Sequence, residues 1–431
     1  MGSKRLLAVM GILSLVLMLA VLPFMLACAP EEVAPPPEEA PPEEAPPEEA
    51  PPAPPAPGII KIGGVYSVTG PDSSVGTQVE AGYTMAIDDL NKDGGVYVKE
   101  FDKKIPLRLV ALDMESSAEK AIARAETLYS AEKVVAYVGT TYFAAAVTIV
   151  EKNKVPAVVV ASAGQYVHER GYKYWFTPLG TSPDIAKVMF DILDSVPETE
   201  RPTKVVIFEE QSDWGIEMSE FWQAEINQRG YNLTSIEKYG MLAKDYSPQI
   251  MAAKSAGAEV LLSNPIMPDG MSIMRQMKEL DYNPKAIVMV RAPDDIPWTM
   301  ALGPLGNYVL FTGGAAHHAL DFPGLAELNA AFQAKFGRPA DVMTGPAYAS
   351  IQIIAGAIER AGTLDTTKIR DAIEATDMMT VVGPVKFRPD GTVVDPFMTA
   401  AQWQSGVQEL VWPEEFRTKP LIYPIPKWSE R

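Results

Sequence analysis

Apolar and polar positions along this chain alternate between two regimes. Short β-branched runs stop at glycine or hydroxylated residues, and stretches with apolar positions three and four apart follow them. The plainest case spans residues 134–164. An apolar run at 134–138 stops at Gly139-Thr140-Thr141-Tyr142, and a small-residue helical segment runs from Phe143 to about Asn153. A second run at 156–161 then stops at Ser162-Ala163-Gly164-Gln165. Short apolar runs separated by a helix predict two buried parallel strands with a crossover.

The same rhythm predicts a first strand at 60–66, a helix at 77–90, a strand at 107–112 and a helix at 119–130. From Asp184 a new cycle begins, with strands at 204–209, 259–263, 286–291 and 308–312, and helices at 214–229, 247–256 and 270–280. Residues 323–376 read as mostly helical, over 325–336, 347–361 and 366–375. The tail, 381–412, turns strand-like again, with a hairpin turn at Phe387-Arg388-Pro389-Asp390-Gly391. Alternation of this kind predicts the α/β class, as two doubly wound parallel sheets.

In such sheets ligands bind at the carboxyl ends of strands, where helices open with unpaired N–H groups. The two strand ends at Thr140 and Ser162 therefore read either as simple N-caps or, taken as a pair, as a small-ligand site. Trp214 follows the first strand of the second cycle and suits either core packing or an aromatic wall beside a ligand.

Two stretches lie outside the alternation. Residues 1–28 carry Lys4 and Arg5, an apolar core at 6–20 and Phe24-Met25-Leu26-Ala27-Cys28, the layout of an export signal. It resembles a bacterial lipoprotein signal, which implies lipidation of Cys28; an uncleaved membrane anchor is the alternative. Residues 29–57 repeat Glu-Glu-Ala-Pro-Pro and have almost no apolar surface to bury, so they predict a disordered, semi-rigid spacer of up to roughly 90 Å.

Composition narrows the chemistry. The 431 residues carry 37 basic and 55 acidic side chains, a net charge of −18, which disfavours nucleic acid and anionic membrane surfaces as partners. Cys28 is the single cysteine, which excludes an internal disulfide, a thiolate zinc site and a catalytic cysteine in the folded part. No Gly-x-Ser-x-Gly elbow, phosphate loop or Gly-x-Gly-x-x-Gly fingerprint occurs. The three histidines, His168, His317 and His318, lack zinc-helix spacing. The doublets Asp88-Asp89 and Asp294-Asp295 could suggest general acid–base work, but the first reads as a solvated helix face or loop, and the second, just past a strand end, has a ligand contact as its minority reading. No metal, cofactor or enzymatic activity is expected.

A set of short motifs in order carries a family resemblance. They include Thr69-Gly70-Pro71, Ala86-Ile87-Asp88-Asp89-Leu90-Asn91 before Gly94-Gly95, and Lys154-Val155-Pro156. Gly171-Tyr172-Lys173-Tyr174-Trp175-Phe176, Asp213-Trp214-Gly215, Gly345-Pro346-Ala347-Tyr348 and Gly383-Pro384-Val385-Lys386-Phe387 continue the series. Together they resemble the substrate-binding protein of a branched-chain amino acid (leucine/isoleucine/valine) type ABC transporter, over residues 60 to about 412.

That resemblance implies a type I periplasmic binding protein fold, with two Rossmann-like lobes joined by a three-segment hinge that closes over a ligand. Lobe 1 would comprise 59–178 and 313–380, and lobe 2 would comprise 179–312 and 381–431. It further implies that Thr140, Thr141, Tyr142, Ser162, Ala163 and Gly164 hold the ligand's backbone groups. Trp214 would form the aromatic wall, with a second, softened wall position near Met267. An acidic residue for the ligand's amino group should follow the strand ending near Val290. This chain has Arg291 there, and Asp294 three residues on. Arg291 in the cleft would favour a carboxylate or other anion.

The expected function is a lipid-anchored, extracytoplasmic monomer that captures a small amino acid, amide or carboxylic acid for an ABC permease. A ligand-sensing module reporting to a membrane receptor or kinase is the alternative.

Overall fold

In a computed structural model, residues 55–294, 297–312 and 317–431 are described. The export signal, Cys28 and all but the last three residues of the Glu/Pro tract lie outside them, as does Asp295.

The first half runs β1 (Ile60–Tyr66), α1 (Ser73–Lys92), a small antiparallel hairpin of β2 (Val96–Val98) and β3 (Lys103–Ile105), β4 (Leu107–Asp113) and α2 (Ala118–Thr127). It continues with β5 (Ala136–Gly139), α3 (Val147–Asn153), β6 (Ala157–Val159), α4 (Gln165–His168) and β7 (Trp175–Phe176). Strands β4-β1-β5-β6-β7 form one parallel sheet in that order. Its middle strands are buried on both faces, which is why they read as continuous apolar runs.

The chain then crosses to a second sheet. Its elements are α5 (Ser182–Asp194), β8 (Lys204–Glu210), α6 (Asp213–Arg229), β9 (Asn232–Tyr239), α7 (Ser247–Ala256), β10 (Val260–Ser263), α8 (Met267–Glu279), β11 (Ala286–Met289), α9 (Pro297–Leu302) and β12 (Val309–Thr312). Helix α5 starts on a capping box in which Asp184 accepts the Thr181 N–H at 2.8 Å. Helices α10 (Leu325–Phe336), α11 (Thr344–Ala361) and α12 (Thr366–Glu374) and the hairpin of β13 (Asp377–Thr380) and β14 (Gly383–Lys386) follow. The antiparallel pair β15 (Ala400–Gln404) and β16 (Val407–Trp412) closes the chain. The second sheet has the order β16-β15-β12-β11-β10-β8-β9, so the tail adds two antiparallel strands to a parallel core.

Most of the expected strands and helices form, and the differences are local. The segment at 141–153 splits into a 3-10 turn (Thr141–Ala146) and α3. Strand β9 was not expected, because as an edge strand it is half-exposed and its polar and apolar residues show no clean run. The division of the tail also differs. The resemblance implies that residues 381–431 belong to the second lobe, but β14 pairs with β13, and Val385, Phe387 and Val393 pack in the first sheet's core. The Phe387 ring meets Phe176 at 5.2 Å, and the Thr177 N–H donates to the Gly391 carbonyl at 2.9 Å. The last crossing therefore lies between Val393 and Ala400. Helix α10, placed with the first lobe by the sequence, buries Leu325, Leu328 and Phe332 in the core that also holds Phe311 and Trp403 of the second sheet.

Candidate functional site

The carboxyl ends of the two sheets' strands face one cleft. On the first side, β1 leads into a loop and then α1, whose Gly76 lies so close to the loop that a Cβ would sit 1.7 Å from the Ser67 carbonyl oxygen. Only glycine lets the helix start that near the strand end. Asp72 occupies the N-cap position of α1, yet its side chain makes no capping hydrogen bond. It is 4% exposed, and its Oδ2 has no hydrogen-bond partner among the described residues. The next strand ends are tied together, since Thr141 Oγ1 donates to the Ala161 carbonyl at 2.7 Å. The Ala163 carbonyl in turn accepts from the Ser182 N–H and hydroxyl at 2.8 and 3.0 Å.

On the second side, β8 ends at Glu210, and Ser212 caps α6 by accepting the Gly215 N–H at 3.1 Å. Gly215 repeats the device of Gly76, since a Cβ there would sit 2.0 Å from the Glu210 carbonyl oxygen. Glu210 is 1% exposed and accepts two hydrogen bonds from Arg291 Nη2, at 3.0 and 2.9 Å. Arg291 Nε donates to the Asn264 carbonyl at 3.1 Å, and the guanidinium lies 5.3 Å from the centre of the Trp214 ring. Trp214 Nε1 donates to the Ser182 hydroxyl at 3.0 Å. A mostly buried cation with this many partners is fixed in place.

Between these two walls lies a cavity of about 120 Å³. Thr141, Ser162, Ala163, Trp214, Arg291 and Asp294 line it, together with Asp72, Thr312, Thr399 and an apolar set that includes Val75, Ile185, Val290, Phe397 and Met398. Burial pushes the Asp72 carboxyl up to about 6, although the nearby Arg291 charge pulls it down; Glu210 pushes the same way as burial. Burial also lifts the Glu217 carboxyl above its ordinary value, against hydrogen bonds from Ser182 and the backbone. Glu217, on α6, accepts the N–H groups of Gln165 and Tyr166 at 3.0 and 2.6 Å, joining the second side of the cleft to the start of α4.

A model of one family, described as Periplasmic binding protein, matches residues 59–408. The chain belongs to the periplasmic binding protein family. A Leu/Ile/Val-binding protein homolog of Brucella suis is 25% identical over 380 residues, covering 84% of this chain and 93% of the relative. The fold is that of the branched-chain amino acid transporter substrate-binding protein LivJ of Streptococcus pneumoniae, solved with isoleucine, with a TM-score of 0.72 at 20% identity. That match covers 82% of this chain and all of LivJ. A solute-binding protein of R. palustris solved with benzoate has a TM-score of 0.71 at 14% identity, covering 85% of this chain and 98% of that one. The type I fold inferred from the motifs is therefore the fold of this chain, and its family is one of binding proteins, not enzymes.

Within this periplasmic binding protein, six of the ten ligand residues named from the sequence meet at the cavity: Thr141, Ser162, Ala163, Trp214, Arg291 and Asp294. The other four stand outside its lining. Thr140 is buried, with its hydroxyl lacking a hydrogen-bond partner among the described residues. Gly164 caps α4. Tyr142 reaches across the cleft to Met241, and Met267 begins α8 and packs on the second core. Arg291 does line the cavity, but Glu210 offsets its charge, so the expected pull on a free carboxylate is weakened. Sequence reasoning missed Asp72, Glu210 and Glu217. An acid at the carboxyl end of an apolar strand was the available signal for Glu210.

Proposed function

We propose that this chain is the extracytoplasmic substrate-binding component of an ABC importer, capturing a small amino acid or a related amide or carboxylic acid between its lobes. What carries the reading is the cavity itself. It lies where strand ends of both sheets face each other, and its walls combine hydroxyls, charges and an aromatic face in a chain of the periplasmic binding protein family. Ligand groups bridging both walls stabilise the closed arrangement of the lobes, and a membrane permease reads that closure. Thr141 and Ser162 on the first wall and Trp214 on the second are the contacts we assign first, with Arg291 beside Trp214. Cys28 carries the lipid anchor in this reading, the Glu/Pro tract is the spacer, and the protein works as a monomer.

A thermal-shift screen of the purified protein against amino acids, amides and short organic acids tests this. A ligand at 100 times its dissociation constant adds roughly 2.7 kcal/mol, a plainly visible shift. No shift with any member of the three classes would sink the ligand assignment while leaving the fold intact.

A further inference from the structure

One carboxylate of the cavity keeps an oxygen that no donor among the described residues reaches. Arg291 is answered by Glu210 at 2.9 Å and by the Asn264 carbonyl. Asp72 on the opposite wall has no such partner for its Oδ2 among the described residues, although it is 4% exposed and lines the cavity. Its position makes this unusual. An aspartate at an N-cap ordinarily turns back to accept a helix N–H, and this one does not. Its backbone N–H is instead held by the Ser116 hydroxyl at 3.1 Å, which fixes the residue while leaving the carboxylate toward the cavity. A buried carboxylate oxygen without a donor is costly, and such groups in folded proteins call for a partner. Meanwhile the position after β11, where the family resemblance places the acid for a ligand's amino group, carries the already engaged Arg291.

We infer that Asp72 is the specificity-determining acceptor for a cationic nitrogen of the ligand, so that the ammonium is recognised from the first wall of the cleft. This rests on the proposed capture of a small ligand in this cavity and narrows it to ligands that carry an ammonium group. A plain carboxylic acid leaves Asp72 buried beside a second anion and is rejected. The rest of the lining fits this division, since its apolar residues suit a short aliphatic body and Thr141 and Ser162 stand at the other strand ends.

The test is calorimetry on the full chain with three pairs of probes: leucine and 4-methylpentanoate, alanine and propanoate, glutamine and glutaramate. The wild type, Asp72→Asn, Asp72→Ser and Asp294→Asn are compared, with circular dichroism and melting curves confirming that each variant folds. One charge-assisted hydrogen bond corresponds to roughly a 10- to 100-fold preference. The expected result is that the wild type prefers at least one amino acid over its deamino partner by that factor. Both Asp72 variants lose the preference, while Asp294→Asn keeps it. An unchanged preference in the Asp72 variants, or its loss in Asp294→Asn instead, overturns the assignment of Asp72 alone. Binding of the acids in preference to the amino acids overturns it as well. A wild type that binds none of the six probes overturns both this assignment and the ligand class beneath it.

Discussion

The two walls of the cleft are built alike and finished differently. Each starts from a strand that runs into a helix through a tight loop, and each uses a glycine, Gly76 or Gly215, to bring the helix against the strand end. Each puts a buried acid at that loop, Asp72 on one side and Glu210 on the other. Glu210 is engaged by Arg291 and Ser212, whereas Asp72 has an oxygen with no donor among the described residues. The buried acid of one wall is answered within the protein, and in our proposal that of the other is answered by the ligand. The comparison teaches that a site's specificity is better read from its unanswered groups than from its most visible charge, which here is Arg291.

The harshest way to break the contrast is to undo the complete wall. Glu210→Gln leaves the Arg291 guanidinium buried without its anion, and loss of one partner of a buried pair costs about 3–5 kcal/mol. Chemical denaturation of the variant should show a loss of that size together with weaker ligand binding; a stability near wild type would mean that the pair is dispensable.

Next in size are the two glycines. Gly76→Ala and Gly215→Ala place a Cβ at 1.7 and 2.0 Å from a carbonyl oxygen, so the backbone must move in both. Each should cost about 1–3 kcal/mol, by the rule for overpacking. If the walls are truly equivalent in construction, denaturant midpoints for the two variants will fall close together.

Asp72→Asn works in the other direction. A carboxyl raised to about 6 when folded, from 3.8 when unfolded, binds its proton more tightly in the native state. The wild type therefore loses stability as pH rises from about 4 through 6, and retains that penalty above. The variant should be more stable than wild type by about 3 kcal/mol at pH 8 and equal to it below pH 4, as melting curves across that range would register. An unchanged difference at all pH values would place Asp72 outside the buried, uncompensated setting assigned to it.

The smallest effect is expected at the strap between the walls. Glu217→Ala removes two charge-assisted hydrogen bonds to the backbone of α4 and should cost about 1–2 kcal/mol. Hydrogen exchange at Gln165 and Tyr166 would rise with it, and protection there unchanged would show that the strap carries little.

Much of the fold was legible because parallel strands buried on both faces leave unmistakable runs, as at residues 134–138 and 286–291. Strand β9 was not, because an edge strand with polar neighbours lacks that pattern. The last crossing was misplaced because the β13–β14 hairpin has the same strand-like texture as the tail that follows it. In the site, the hydroxyl-bearing strand ends and the motif around Trp214 single out residues that do line the cavity, Thr141, Ser162 and Trp214. The helix expected at 77–90 begins at Ser73 instead, and nothing in the composition of Pro71-Asp72-Ser73 says that Asp72 is its N-cap or that the carboxylate turns away from the helix. Pairing of Arg291 with Glu210, 81 positions apart, is likewise a matter of strand order in the second sheet.

The most direct measurement is a crystal structure of the protein with a bound amino acid, beginning with leucine. The account predicts the ligand between the two walls, its ammonium nitrogen about 2.8 Å from Asp72 Oδ2, and Arg291 still held by Glu210. A ligand whose nitrogen sits on Asp294, or whose carboxylate draws Arg291 away from Glu210, would contradict it.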